Sequence, residues 1–208
     1  MSHTLHREGT VESLSHDFVV FMMAAQTVNK PGSKEKLQEF WRIAKKYHPV
    51  NMGDGRTGNM LLVDYDEMIG NMKDGVVAHT VFDNEDAVAG FLTELREADL
   101  GISVVVSGLM DKVAECCHKA GLKPHTVNMS LGIHGNTERL APVDHREIST
   151  MCGHGMITAK MIDDMVAKIK KGILTPETAA KKLGELCICG VYNPVRAAGL
   201  LEKMVEKA

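Results

Sequence analysis

The chain has 208 residues, of which 44% are hydrophobic and 25% charged, the composition of an ordinary globular protein with a sizeable core. No tract rich in Ser, Gly, Pro or charge divides it, so we expect a single domain over residues 1–208. Its 24 basic and 27 acidic residues give a net charge of −3 and are spread along the chain, which disfavours nucleic acid as a partner.

The apolar runs are short. The longest, such as Phe18 to Ala25 and Ile102 to Val106, fall far below the roughly 20 residues that cross a bilayer, and we expect no membrane partner. The first residues lack the charged start and apolar stretch of a signal peptide. Five cysteines, two of them adjacent at Cys116 and Cys117, are a poor framework for disulfides. These features predict a cytoplasmic protein with free thiols.

Residues 1–74 are predicted to form a helical N-terminal segment. Apolar residues three or four apart predict a first helix over residues 11–25, and its methionines make it the candidate contact of a homodimer. A second helix is expected to begin at Ser33 and to stop before Pro49. Residues 51–59 are rich in Gly, Asp and Asn, which predicts a loop.

Residues 75–150 alternate short apolar runs with helical patterns. The predicted elements are strands at Val76–Phe82, Ile102–Ser107 and Thr126–Ile133 and helices at Glu85–Ala98 and Met110–Ala120. Nearly continuous apolar strands separated by helices are typical of a parallel sheet covered on both faces. We therefore expect an α/β fold in which a βαβαβ core forms a small parallel, or mostly parallel, sheet flanked by helices.

Residues 151–208 read as a helical hairpin. A helix over residues 156–171 would be about 24 Å long, and a returning helix over residues 176–186 about 16 Å. Three extended residues at roughly 3.3 Å each would cover most of the remaining distance. This geometry predicts that Cys187 and Cys189, which follow the second helix, lie beside Cys152, which precedes the first.

Cys152 is the most informative of these cysteines. It is expected at the N-terminus of a helix, where the dipole and the free N–H groups lower the pKa of a thiol. Glycines on both sides of His154 would let the backbone turn around a bound group. Thiols at helix ends with glycine neighbours favour a functional site over simple core packing, although free cysteines are often buried.

The residues leave three kinds of site open. The leading hypothesis is an enzyme with a 4Fe–4S cluster held by Cys152, Cys187 and Cys189, its fourth iron bound by His154 or open to substrate. The second is a regulatory or binding protein in which the same four residues hold a structural zinc. The third is a metal-free enzyme with a cysteine nucleophile. Either Cys116 or Cys117 could add a ligand, although adjacent positions in a helix favour packing.

The cluster hypothesis implies a reaction on a small polar molecule. An open iron would act as a Lewis acid in a dehydration or desulfuration. His134 is expected at the carboxyl end of the third strand, where ligands of parallel α/β sheets collect. We therefore predict His134 or His154 as the group that moves the proton, in the iron–sulfur enzyme and in the metal-free enzyme alike.

Overall fold

A five-stranded sheet lies between two layers of helices in the computed structural model, which describes residues 4–207. The strands are β1 (Phe18–Met23), β2 (Asn51–Asp54), β3 (Gly58–Asn59), β4 (Val77–Phe82) and β5 (Ser103–Ser107). Their order is β3-β2-β4-β1-β5, and every neighbouring pair is antiparallel. The predicted α/β class is confirmed, whereas the predicted parallel sheet is wrong.

Helices make up most of the rest of the chain. They are α1 (Val11–Leu14), α2 (Ser33–Lys46), α3 (Tyr65–Asn71), α4 (Glu85–Ala98), α5 (Met110–Lys119), α6 (Val143–Ser149), α7 (Ala159–Lys170), α8 (Pro176–Glu185) and α9 (Pro194–Lys207). Side-chain oxygens cap several of them; Asn84 accepts from the Ala87 N–H at the start of α4, and Thr175 accepts from the Thr178 N–H at the start of α8. Within residues 4–207, none of these helices has the length and apolar character needed to span a membrane.

The direction of the strands was mispredicted because apolar residues report burial and not strand direction. In β1, Phe18, Val20 and Met22 face one core, while Val19 and Phe21 face the other. Both faces of this antiparallel sheet are covered, which gives its central strand the continuous apolar run expected of a parallel one. The unit β4–α4–β5 exists as predicted, but β1 lies between its two strands and is antiparallel to both. It is therefore a split βαβ unit.

Three other predictions about local structure are wrong. The helix expected over residues 11–25 is helical only in α1, and β1 occupies the centre of the sheet, so it cannot be an exposed dimer contact. Residues 51–59 form the β2–β3 hairpin instead of a loop. The strand expected at residues 126–133 is an exposed, irregular segment. The core of residues 75–150 therefore contributes two strands, not three.

The two helical layers come from different parts of the chain. Helices α2, α4 and α5 bury one face of the sheet, and residues from α6 to α9 bury the other. The second layer contains the hairpin predicted for residues 151–208, since α7 packs against α8 and α8 against α9. This layer carries Cys152, Cys187 and Cys189 and buries them in one cluster with Val19, Phe21 and Val81 of the sheet.

Candidate thiol site

Three cysteines and one histidine lie together in the C-terminal layer. Cys152, Cys187 and Cys189 belong to one buried cluster. The Sγ atoms of Cys187 and Cys189 are 4.0 Å apart, and Cys189 Sγ is 3.8 Å from His154 Nδ1. The predicted convergence of these cysteines is confirmed, and their chemical roles stay predictions. We call Cys152, His154, Cys187 and Cys189 the thiol site.

Cys152 lies in a tight turn between α6 and α7. The turn is closed by a hydrogen bond of 3.0 Å from the Gly155 N–H to the Cys152 carbonyl, and Gly155 has a φ of 68°. Helix α7 begins only at Ala159, so the expected helix N-terminus at Cys152 is absent. Backbone N–H groups of Met156 and His154, in and just after this turn, help to lower the pKa of Cys152 instead. The turn therefore supplies the anion-stabilising donors that the sequence assigned to a helix dipole.

The surroundings of Cys152 and Cys187 shift the pKa values of these two thiols in opposite directions. Donation from the Cys187 thiol, assisted by the N–H groups of Met156 and His154, lowers the pKa of Cys152 from 9.0 to about 6 against the opposing effect of burial. The same hydrogen bond, with contributions from Cys189 and burial, raises the pKa of Cys187. Cys152 is therefore the thiolate at neutral pH, and Cys187 is the thiol that donates to it.

The β2–β3 hairpin positions the second cysteine segment. Asn59 Nδ2 donates to the Cys187 carbonyl at 2.9 Å, and Asn51 Nδ2 donates to the Tyr192 carbonyl at 2.8 Å. Gly190, with a φ of 74°, packs so closely on β2 that an added Cβ would lie within 3 Å of the Met52 carbonyl. Sequence reasoning missed these residues because it treated the hairpin as a loop. The buried asparagines beside Gly53 and Gly58 were the available signal.

A buried ionic cluster lies under both cysteine segments. The Asp17 carboxylate pairs with Arg7 and, at 2.9 Å, with the Arg196 guanidinium. Arg7 also donates to the carbonyl groups of Met151 and Val191, one in each cysteine segment. A single guanidinium thus ties together two chain segments 40 positions apart in sequence. Nothing in the local sequence around Arg7 indicated this role, because its partners come from distant parts of the chain.

Tyr192 packs beneath the thiols. It is fully buried, and its hydroxyl has no hydrogen-bond partner among the described residues. Burial, followed by the electrostatic influence of the neighbouring Cys187 and Cys152, raises its pKa well above 10.0. The Tyr192 phenol therefore remains protonated at neutral pH and can donate a hydrogen bond.

The site lies just below the protein surface. Cys152, Cys187 and Cys189 are 2%, 1% and 6% exposed, whereas His154 is exposed. Its outer rim is the turn at residues 153–156 and the half-exposed Ile188.

His134 has a different environment from the one predicted. It lies in the exposed segment that replaces the third strand, and its Nε2 contacts the Leu131 carbonyl at 3.0 Å. The strand end on which its predicted role depended does not form. His154 is the histidine that the structure brings to the thiols.

A metal centre was the leading expectation from the sequence. Between residues 4 and 207, no three His, Cys, Asp or Glu side chains are grouped so that they could hold a metal ion. Both the iron–sulfur cluster and the zinc site stay predictions.

Comparison with known proteins does not assign the chain to a family. No family model matches the chain, and searches of curated proteins and of solved structures found no similar protein. The functional argument therefore depends on the geometry of the thiol site.

Proposed function

We propose that this protein is a cysteine-dependent enzyme whose nucleophile is Cys152. The observation that carries the proposal is the burial of Cys152, Cys187 and Cys189 in one cluster beside His154, together with the lowered pKa of Cys152. A thiolate that accepts a thiol proton and two backbone N–H groups is a prepared nucleophile, since the thiolate and not the thiol attacks electrophiles.

The other residues have supporting roles. His154, the exposed member of the thiol site, exchanges protons with solvent and passes them to Cys189 at 3.8 Å. The burial of the three cysteines favours a small-molecule substrate over a macromolecule.

Selective alkylation tests this proposal. The folded, reduced protein is treated briefly with iodoacetamide at pH 7.5, and the modified cysteines are identified by peptide mass spectrometry. Cys116 and Cys117 are the internal controls, because both are buried thiols with a raised pKa, about 11 for Cys116. At that pH the larger thiolate fraction of Cys152 outweighs its lower intrinsic nucleophilicity by about one order of magnitude. We therefore expect Cys152 to be labelled first, about tenfold faster than Cys116.

Two results would contradict the proposal. One is labelling of Cys116 or Cys117 as fast as that of Cys152 in the folded protein. The other is one equivalent of iron or zinc in protein purified without oxygen, released together with unmasking of the Cys152 thiol, which would assign the same residues to a metal centre.

A further inference from the structure

We infer that residues 127–133 form an interface between two copies of this chain, in which the segment of one copy pairs with the same segment of the other as antiparallel strands. The segment lies between α5 and α6 and is exposed along its whole length. Between residues 4 and 207, no backbone N–H or carbonyl group of residues 126–133 is hydrogen-bonded to another backbone group. Its backbone is therefore available to a partner.

Four large apolar side chains occupy every second position of this segment. Their exposed fractions are 56% for Val127, 62% for Met129, 85% for Leu131 and 46% for Ile133. Alternation places all four on one side of an extended chain. Apolar side chains exposed singly are ordinary, but four within one short segment form a patch that is typical of a protein interface.

The order of these residues fits a second copy of the same segment. In antiparallel self-pairing centred on Ser130, Val127 lies opposite the second copy's Ile133, and Met129 lies opposite its Leu131. Each apolar residue then meets another apolar residue on the same face, the contact that stabilises paired strands. A two-fold axis through Ser130 repeats every contact, as in the isologous interfaces of most homodimers.

Charge does not oppose this pairing. Residues 124–137 contain no Asp, Glu, Lys or Arg, although 25% of the whole chain is charged. Like charges that face each other across a two-fold axis would destabilise the paired strands. Natural edge strands are commonly protected from self-association by charged residues or by proline within the strand. The sequence of residues 126–133 has neither protection.

The exposed area predicts a weak, reversible dimer. A fully exposed aliphatic side chain presents about 100 Å² of apolar surface, so the four together expose about 250 Å². Two copies would bury about 500 Å² of apolar surface, or about 900 Å² in total for an interface slightly more than half apolar. Stable complexes bury about 1,200–2,000 Å², and weak ones bury less. The dimer should therefore form in a concentration-dependent way.

The glycine within the segment does not prevent pairing. Gly132 has a φ of 90°, which lies outside the range of a β-strand. Because glycine has no Cβ, it also adopts the extended conformation without strain.

Sedimentation velocity of the full chain tests the interface. Wild type is measured from about 1 µM to about 100 µM, where weak complexes dissociate, and we expect the dimer fraction to rise over this range. Leu131→Glu places like charges on both sides of the two-fold axis and should remain monomeric. The control is Val28→Glu, at an apolar residue 78% exposed outside the segment, which should behave as wild type. Circular dichroism checks that both variants are folded.

Cysteine cross-linking tests the register. Ser130→Cys places two sulfurs across the two-fold axis, whereas Asn128→Cys separates them by four residues, about 13 Å along the strands. A disulfide needs Cα atoms within about 7 Å of each other. Under mild oxidation we therefore expect a disulfide-linked dimer of Ser130→Cys and not of Asn128→Cys. Wild type, whose five cysteines are buried, is the control and should not cross-link.

Three results would overturn the inference. Wild type that stays monomeric at the highest concentration would leave the segment for a different partner. A dimer that persists in Leu131→Glu would use another surface. Equal cross-linking of Ser130→Cys and Asn128→Cys would exclude antiparallel pairing centred on Ser130.

Discussion

The chain contains two groups of buried cysteines on opposite sides of one sheet. Cys116 and Cys117 lie in α5 within the core formed with α2 and α4, and their exposures of 0% and 8% resemble those of the thiol site. Burial raises the pKa of both, to about 11 for Cys116. Cys152, equally buried, has a pKa of about 6 because hydrogen-bond donors surround its sulfur.

The comparison shows that burial alone does not decide what a cysteine does. In α5 the backbone N–H groups are used within the helix, so the sulfurs meet mostly hydrocarbon and one carbonyl, that of Glu85, at 3.5 Å from Cys116 Sγ. At Cys152 the chain turns, and its N–H groups become available to the sulfur. Desolvation opposes the thiolate in both places, and only directed donors overcome it.

The largest effect is expected from the ionic cluster that underlies the thiol site and has no counterpart near α5. Asp17→Asn would leave the buried guanidinium groups of Arg7 and Arg196 without a counter-charge, at a cost of about 3–5 kcal/mol of unfolding free energy. The control is Lys119→Met, which removes an exposed ion pair with Asp86 near Cys116 and should cost less than about 1 kcal/mol. Urea denaturation measures both, and equal losses would contradict the distinction.

A second effect concerns the backbone that carries the thiol site. Gly190 and Gly155 both have positive φ, so alanine at either position should cost about 1–2 kcal/mol. At Gly190 the added carbon also meets β2, which adds about 1–3 kcal/mol, whereas Gly155 has open space. Thermal unfolding should therefore show a larger loss for Gly190→Ala. A larger loss for the alanine variant of Gly155 than for that of Gly190 would mean that the second cysteine segment does not pack against β2.

The third effect is a pH dependence of stability that distinguishes the thiol site from the cysteines of α5 between pH 6 and pH 8. The pKa of Cys152 falls from 9.0 to about 6 on folding, so its stabilisation is complete above pH 9 and is lost as the pH falls through 6. The unfolding free energy of wild type relative to Cys152→Ser should rise by up to about 1.4 kcal/mol per pH unit between these limits.

The control for this slope is the other cysteine group. Because the pKa of Cys116 is raised on folding, the difference between wild type and Cys116→Ala should stay constant from pH 6 to pH 8. Denaturation series at several pH values measure both differences. A flat difference for Cys152→Ser would show that its sulfur is not a stabilised thiolate.

Local patterns predicted a substantial part of this molecule. Helices α2, α4 and α5, strands β4 and β5, and the C-terminal hairpin follow from the spacing of apolar residues and from the lengths of the predicted helices. The hairpin lengths also predicted that Cys187 and Cys189 would return to Cys152, because helix rise and loop length are local quantities. The one-residue spacing of Cys187 and Cys189 was enough to identify the second half of the site.

Other features depend on partners that are remote in sequence. Strand β1 was taken for a helix because its apolar run is compatible with either structure, and its place between β4 and β5 is decided by tertiary packing. The hydrogen bonds of Asn59 and Arg7 to the cysteine segments span more than 120 positions. No local pattern encodes them.

The amino-acid order by itself determined most of the helical segments, how far each of them carries the chain, and Cys152 as the thiol with a lowered pKa. Only the tertiary structure decided which groups lower that pKa. Acidity depends on the few ångströms around an atom, and at Cys152 that space is filled by a thiol from residue 187 and by N–H groups exposed in a turn that the sequence had assigned to a helix end.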